Sequence, residues 1–186
     1  MTFCKTNKAK KVFLIACVLL LVSASSQLFA KSAEAIDTGV KVALETLKAK
    51  VGADKVKRAY GILVFPEVYK AGVGVGGEYG EGALLRGGKT VGYYSTVSAS
   101  VGWQLGGQKK SVIYLFNTKE AYNKFINSDG WKAGVDASVA VLAFGVGAEV
   151  DTNYQNDQPV EAFILDQKGL MYDLSLEGTK ISTIKR

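Results

Sequence analysis

Residues 59–86, AYGILVFPEVYKAGVGVGGEYGEGALLR, contain the pattern that decides the fold. A short apolar run ends at Pro66, and from Ala71 onward the residues alternate as they do in a β-strand, where successive side chains point to opposite faces. One face would carry Ala71, Val73, Val75, Gly77 and Tyr79, and the other Gly72, Gly74, Gly76, Gly80 and Gly82 with Glu78 among them. Since the second face is nearly bare backbone, we expect a ligand or another stretch of backbone to pack closely against it.

Three of these glycines, Gly72, Gly74 and Gly77, match the G-x-G-x-x-G spacing of dinucleotide-binding loops. Such a loop needs a helix directly after it, because the amide groups of that helix bind the pyrophosphate. Residues 78–82, EYGEG, disfavour a helix and would repel phosphate through two carboxylates. The spacing therefore indicates a glycine-faced strand rather than a nucleotide site.

The first 30 residues are organised as a secretory signal peptide. Four lysines precede an apolar run of eleven residues at 12–22, and cleavage is expected between about residues 30 and 35. This run is short for a membrane-spanning helix, although a retained anchor is an alternative. Residues 14–17, LIAC, also resemble a lipobox, which would make Cys17 a lipidated membrane anchor. We predict an exported protein, periplasmic or secreted.

Removal of this segment changes the charge and the available chemistry. The chain has 23 basic and 17 acidic residues, and removing the four lysines of residues 1–30 leaves 19 basic residues, a net charge of about +2. This weak charge gives no support to nucleic-acid binding through a basic field. Both cysteines lie in the removed segment and the chain has no histidine, which excludes disulfides, thiolate zinc sites and Ser-His-Asp catalysis from the mature protein.

Residues 36–51 are predicted to form an amphipathic helix. The apolar positions that recur at helical spacing are Ile36, Val40, Ala43, Leu44, Leu47 and Val51. Lys41, Lys48 and Lys55 follow one another at intervals of seven residues and would line one flank. The apolar stripe would be stabilised equally by packing on the sheet of the domain or by lying on a membrane, so both interpretations stay open.

The remaining pattern predicts an α+β fold. It comprises a mostly antiparallel, strongly curved or barrel-like sheet, the N-terminal amphipathic helix and a short internal helix. A second short helix is expected at 54–58. Strands are predicted at 91–105, 112–116, 131–150, 160–165 and 170–184, turns at 86–89, 106–107 and 167–169, and the internal helix from Asn117 to Ile126. The run 137–144 is apolar enough for a strand buried on both faces.

Several blocks resemble the SYLF domain family. They are AYGILVFP at 59–66, KAGVGVGG at 70–77, SASVGWQLGG at 98–107, DASVA at 136–140 and LSLEG at 174–178, in that order. The resemblance extends over about residues 36–186. It implies a lipid-binding domain, with some eukaryotic members bound to actin. Neither an SH3 nor a FYVE-type module accompanies these blocks, and the leader-like N-terminus fits an exported bacterial form.

The resemblance also implies where a membrane would be contacted. In the family an amphipathic helix and basic residues are implicated, and the corresponding lipid-binding candidates here are Lys41, Lys48, Lys55, Lys57 and Arg58, with Lys70 and Arg86 as further candidates. Phosphoinositide specificity is not carried over to an exported protein. Actin would be a partner only inside a host cell.

Three function classes follow. The first is a non-catalytic phospholipid-binding protein of the bacterial cell envelope, with an anionic membrane as its partner and no cofactor, metal or nucleic acid. The second is an envelope or secreted protein-interaction module without direct lipid binding, whose partner is another envelope protein or host actin. The third is an enzyme that uses carboxylates, such as Glu78 with Glu81 or Asp136. We favour the first class and predict that the protein is not an enzyme.

Overall fold

A computed structural model describes residues 30–144, 158–168 and 178–186. Within these ranges, only the backbone is described at 71–75, 100–108, 142–144 and 166–168. Residues 33–186 form one compact unit. The signal peptide prediction and Cys17 lie outside the described residues. The elements are α1 (Ala33–Val51), α2 (Ala53–Arg58), β1 (Gly61–Arg86), β2 (Lys89–Phe116), α3 (Lys119–Ile126), β3 (Trp131–Lys132), β4 (Ala140–Phe144), β5 (Val160–Lys168) and β6 (Lys180–Ile184).

Two very long antiparallel strands, β1 and β2, form the frame of the domain. They pair from Gly61 opposite Phe116 to Arg86 opposite Lys89, and the predicted turn between them is confirmed. Gly87 and Gly88 make this turn with φ of 58° and 78°, a region that favours glycine. The strand β1 passes through Pro66 without ending, because a bulge between Phe65 and Val68 accommodates a residue that cannot donate a ladder hydrogen bond.

The sheet branches because the two halves of β2 have different further partners. The first half pairs with β6, which pairs with β3, and the second half pairs with β5, which pairs in parallel with β4. The result is a strongly curled mixed sheet that forms a half-barrel, which confirms the predicted fold class. Residues 160–168 and 180–184 each pair with β2. The predicted pairing of 160–165 with the strand that follows the 167–169 turn stays a prediction, because residues 169–177 lie outside the described range.

The glycine face of β1 packs against the beginning of the same strand. A Cβ atom at Gly80 would lie 2.8 Å from Val68 Cγ2 and 2.9 Å from the Glu67 carbonyl oxygen. At Gly82 it would overlap the Val64 carbonyl oxygen and lie 2.7 Å from Phe65 Cδ1. The expected close approach of backbone is therefore confirmed at these two positions. The same expectation for Gly74, which pairs with Gly102, stays a prediction.

Helices cover both faces of the half-barrel. We call the side under α1 the outer face and the side that contacts α3 the inner face. The outer core joins α1 and α2 to the sheet and comprises Ile36, Val40, Ala43, Leu47, Val56, Val64, Ala83, Leu85, Ile113, Leu115, Phe163 and Leu165. The inner core includes Phe65, Tyr114, Phe116, Tyr122, Phe125, Trp131, Val160 and Ile181. Its aromatic rings meet mostly edge to face.

Other sequence-based boundaries need correction. The predicted turn at 106–107 is wrong, because Gly106 and Gly107 continue β2 and pair with Gly72 and Ala71. The internal helix is confirmed, but its cap is Thr118, whose hydroxyl accepts the Ala121 amide at 3.1 Å. The residue predicted as its start, Asn117, donates its side-chain amide to the Gln158 carbonyl instead.

The predicted strand at 131–150 is split. Two residues form β3 and five form β4, while residues 145–150 lie outside the described range. The expectation that 137–144 is buried on both faces is wrong at Val141, which is 37 % exposed. Ala140, the other residue of β4 whose side chain is described, is half-buried.

Candidate functional site

The helix α1 uses its apolar stripe for the core of the domain. Ile36 and Leu47 are fully buried, and Val40 and Ala43 nearly so, against the outer face of the sheet. Asp37 fixes the start of this helix by accepting hydrogen bonds from the hydroxyls of Thr90 and Tyr93, each at 3.0 Å. Of the two interpretations of this helix, packing on the sheet is the one that the structure shows. In the described part of the chain, no helix is long and apolar enough to cross a membrane.

Four of the predicted basic residues are exposed. Lys41 lies on the outward side of α1, Lys57 and Arg58 lie at the end of α2, and Arg86 lies beside the hairpin turn. The Arg86 guanidinium donates to the Tyr60 hydroxyl at 2.5 Å and stacks 4.7 Å from the centre of that ring. These side chains are positioned by separate elements and provide positive charge at the surface.

The other lysines of the predicted flank are paired with carboxylates. Lys48 donates to Glu45 at 2.7 Å in an exposed pair on α1. Lys55 lies beyond the helix break at Gly52, where φ is 87°, and donates to Glu161 at 3.0 Å. The continuous lysine flank expected from the seven-residue spacing is therefore interrupted, because Lys55 turns toward β5 and covers a fully buried carboxylate.

Lys70 lies on the inner face, in a cluster of buried charges. Its Nζ is 3.5 Å from Glu78, and Lys110 Nζ is 3.0 Å from the same carboxylate. All three side chains are less than a tenth exposed. Strand alternation explains the position, since Lys70 is two residues from Val68 of the inner core. In this structure Lys70 therefore faces Glu78 instead of presenting its charge at the surface.

Tyr114 extends this cluster toward the core. Its hydroxyl is buried and has no hydrogen-bond partner among the described residues. Burial, together with the nearby Glu78 carboxylate, raises the pKa of Tyr114 above its ordinary value. The hydroxyl is consequently neutral at physiological pH. The sequence analysis considered Glu78 as an interruption of the glycine face and as a catalytic carboxylate, but did not predict its buried lysine partners, although a carboxylate at an inward position signals such a partner.

Glu81 is buried on the opposite side of β1. Its carboxylate accepts a hydrogen bond from the Tyr79 hydroxyl at 2.7 Å and another from Arg186, close to the end of the chain. Burial and the contact with Glu81 raise the pKa of Tyr79 to about 12. Glu78 and Glu81 thus point to opposite faces of one strand, because they lie three positions apart.

This arrangement separates the carboxylates that were considered for acid–base chemistry. Glu78 is bound to lysines on the inner face, Glu81 to Tyr79 and Arg186 on the outer face, and Asp136 accepts the backbone amide of Lys132 at 2.5 Å. Each carboxylate has its own partner, and none of these pairs faces another. Among the described residues, no cluster of acidic side chains could hold a metal ion.

A surface groove of about 470 Å³ lies between α1 and the bulge of β1. Its helix side includes Val42, which is 65 % exposed, and its strand side includes the ion pair of Glu67 with Lys109. Tyr69 donates to Glu67 at 2.9 Å, and Lys109 lies 5.8 Å from the centre of the Tyr69 ring. The lining residues are Gly39, Val42, Ala43, Thr46, Pro66, Glu67, Lys109, Lys110 and Ser111.

Comparison with known families identifies the second part of the domain. The model of the Ysc84 family, described as "Las17-binding protein actin regulator", matches residues 97–186. Residues 97–186 therefore match the Ysc84 (SYLF) family. Ysc84 (SYLF) domains form a family of lipid-binding and actin-regulating proteins. No curated protein matches the chain.

The Ysc84 match includes three of the five blocks on which the SYLF resemblance was based, those at 98–107, 136–140 and 174–178. It begins at Val97 in β2 and continues through α3 to β6. The predicted family is therefore confirmed. Glycine-faced β1 and both N-terminal helices precede the matched range. The strand β1 pairs with β2 along nearly its whole length, and both helices pack in the outer core.

Proposed function

We propose that this protein is a non-catalytic phospholipid-binding protein of the bacterial cell envelope, exported by its N-terminal signal peptide. The observation that carries the proposal is the match of residues 97–186 to a lipid-binding and actin-regulating family. Pairing of the buried carboxylates with cations supports the non-catalytic part of the proposal, because those groups are engaged in holding the fold.

The contact of the N-terminal helices with lipid would be electrostatic. The apolar stripe of α1 is used by the outer core, so its outward side would face the lipid with Lys41. Lys57 and Arg58 add two exposed cations at the end of α2. A basic residue near an anionic bilayer contributes about 1 kcal/mol, and salt screens this contribution. The expected partner is accordingly an anionic phospholipid surface.

A protein partner is the second candidate. The family description names an actin regulator, and the groove beside α1 combines exposed Val42 with the Glu67–Lys109 pair. A mixed apolar and polar groove is typical of a surface that binds a protein segment. In this alternative the protein is an envelope or secreted interaction module, associated with host actin or membranes, and does not bind lipid directly.

Vesicle co-sedimentation separates the two candidates. Residues 33–186 form a compact unit with both cores and omit the apolar leader, which would bind vesicles by itself. We expect this fragment to sediment with vesicles containing phosphatidylglycerol and not with neutral phosphatidylcholine vesicles. Absence of sedimentation with both vesicle types would reject lipid binding and favour the protein-interaction module.

A triple charge-reversed variant, Lys41→Glu with Lys57→Glu and Arg58→Glu, tests whether these cations contribute to binding of anionic vesicles. Its matched control reverses three exposed lysines elsewhere, Lys89, Lys119 and Lys124, so that the net charge changes equally. We expect the first variant to bind anionic vesicles more weakly than the control. Equal binding by the two variants would show that the N-terminal helices make no special contribution.

A further inference from the structure

One outward-facing row of side chains crosses four neighbouring strands. Tyr79 of β1 is paired with Val97 of β2, Val97 with Lys180 of β6, and Lys180 with Lys132 of β3. Directly paired residues point to the same face of a sheet, with Cβ atoms about 5 Å apart. The four side chains, which we call the outward row, therefore form one continuous strip across the sheet.

The outward row is exposed. Tyr79 is 42 % exposed and Val97 is 49 % exposed, and both lysines are also exposed. Four residues before Val97 in β2, Tyr93 packs with α1 in the outer core, and the paired Ala83 is fully buried there. The outward row thus lies on the same face as α1 but outside the outer core that the helix covers.

The row presents two cations, and two carboxylates near it are hydrogen-bonded within the fold. Glu81, the nearest carboxylate on β1, is 2 % exposed and is bound by Tyr79 and Arg186. The carboxylate of Asp136 accepts the backbone amide of Lys132. Lys180 and Lys132 extend the strip beyond Val97 with two ammonium groups. A tyrosine and a valine followed by lysines match an anionic bilayer, where the rings lie at the headgroup level and the ammonium groups contact phosphates.

We propose that the outward row, Tyr79, Val97, Lys180 and Lys132, contacts the surface of an anionic phospholipid bilayer. This inference rests on the proposed lipid-binding function. The contact surface that it assigns contains none of the seven basic residues predicted from the sequence. The row combines exposed apolar side chains with cations, whereas the apolar stripe of α1 is buried in the outer core.

A fluorescent label at Val97 tests the contact directly. Residues 33–186 contain no cysteine, so Val97→Cys gives a single site for an environment-sensitive label. Ile126→Cys on α3 is the matched control, because Ile126 is 43 % exposed on a helix that packs on the inner face. With phosphatidylglycerol vesicles we expect a blue shift and higher intensity from the label at 97, and no change from the label at 126.

A pair of charge variants provides the binding test. Val97→Glu with Lys180→Glu places acids in the row, and Ile126→Glu with Lys124→Glu makes the same change of charge on α3. We expect at least about tenfold weaker vesicle partitioning for the first variant than for the second. If the unaltered fragment binds but the label at 97 does not respond, or the two variants partition equally, the outward row is rejected and lipid binding stands. If the unaltered fragment binds no vesicles, the proposed function itself fails.

Discussion

Gly82 lies directly against the carbonyl oxygen of Val64, a residue of the same strand eighteen positions earlier. A Cβ atom at Gly82 would overlap that oxygen. The contact shows how β1 curls back over its own beginning, with the glycine face turned inward at the crossing. Glycine is required here by the close approach of two backbone segments and not by an unusual φ.

The first prediction is that Gly82→Ala destabilises the domain by about 3 kcal/mol, because the added methyl group would force the two backbone segments apart. The matched control is Gly77→Ala, whose Cβ would lie 3.7 Å from the Ser98 carbonyl oxygen in ordinary contact. Urea denaturation of both variants measures the difference. Equal unfolding midpoints would disprove the close crossing of β1.

The second prediction concerns the pair of Lys55 with Glu161. Glu161 is fully buried. Lys55 binds its Oε1, while its Oε2 has no hydrogen-bond partner among the described residues. Lys55→Met should cost about 2 to 3 kcal/mol, because it leaves a buried charge uncompensated. Addition of Glu161→Gln should recover part of this loss. Lys48→Met, which removes an exposed pair, should cost less than about 0.5 kcal/mol.

Chemical denaturation of the four proteins tests this assignment. A double variant that is no more stable than Lys55→Met alone would mean that the buried carboxylate does not depend on Lys55. A large cost for Lys48→Met would mean that the stability of α1, and not the buried pair, determines the result.

The third prediction is a loss of stability in alkaline solution. Because the pKa of Tyr114 is raised in the folded state, the unfolded chain releases this proton first as the pH rises above about 10. The free energy of unfolding should then fall, and Tyr79, with its pKa raised to about 12, should add to the decline until that pH. Below pH 10 neither group makes stability depend on pH.

Tyr114→Phe isolates the contribution of the Tyr114 hydroxyl to this loss of stability in alkaline solution. At pH 7 its stability should be unchanged or slightly higher, because the hydroxyl that it removes is buried without a partner among the described residues. Above about pH 10 its stability should fall less steeply than that of the parent domain. Parallel pH profiles for the two proteins would contradict the assignment of this titration to Tyr114.

The fourth prediction concerns the site of signal cleavage. The sequence permits cleavage anywhere between about residues 30 and 35, but α1 begins at Ala33 and Ile36 is fully buried. Thr38 also donates its hydroxyl to the Glu34 carbonyl at 2.8 Å. Cleavage after Ala35 would remove the first turn, so we expect a mature N-terminus at Lys31. Mass spectrometry of the protein from its native host tests this N-terminus. A lipidated Cys17 would contradict it and select the lipoprotein alternative.

The sequence predicted those features that depend on local pattern. The helical spacing of Ile36, Val40 and Leu47, the glycine turn after Arg86 and the short internal helix all appear in the structure. It did not predict that β2 continues through Gly106 and Gly107, because two adjacent glycines usually mark a turn. It also missed the parallel pairing of β4 with β5, which is a long-range relationship without a local signal.

The candidate site was less predictable for a similar reason. The family resemblance implied Lys41, Lys57 and Arg58, which are exposed, but the further candidates included Lys70, which strand alternation turns toward Glu78. The outward row unites residues up to 101 positions apart in sequence, from Tyr79 to Lys180, and only strand register brings them together. No motif of nearby residues could have revealed such a strip.

The most direct test of the central claim is the partition coefficient of residues 33–186 on phosphatidylglycerol vesicles as the salt concentration rises. Raising NaCl from about 0.1 M to about 1 M shortens the Debye length from about 10 Å to about 3 Å. We predict measurable partitioning at low salt that falls steeply with added NaCl, and none on neutral vesicles. Equal partitioning on neutral and anionic vesicles, or none on either at low salt, would contradict an anionic bilayer as the partner.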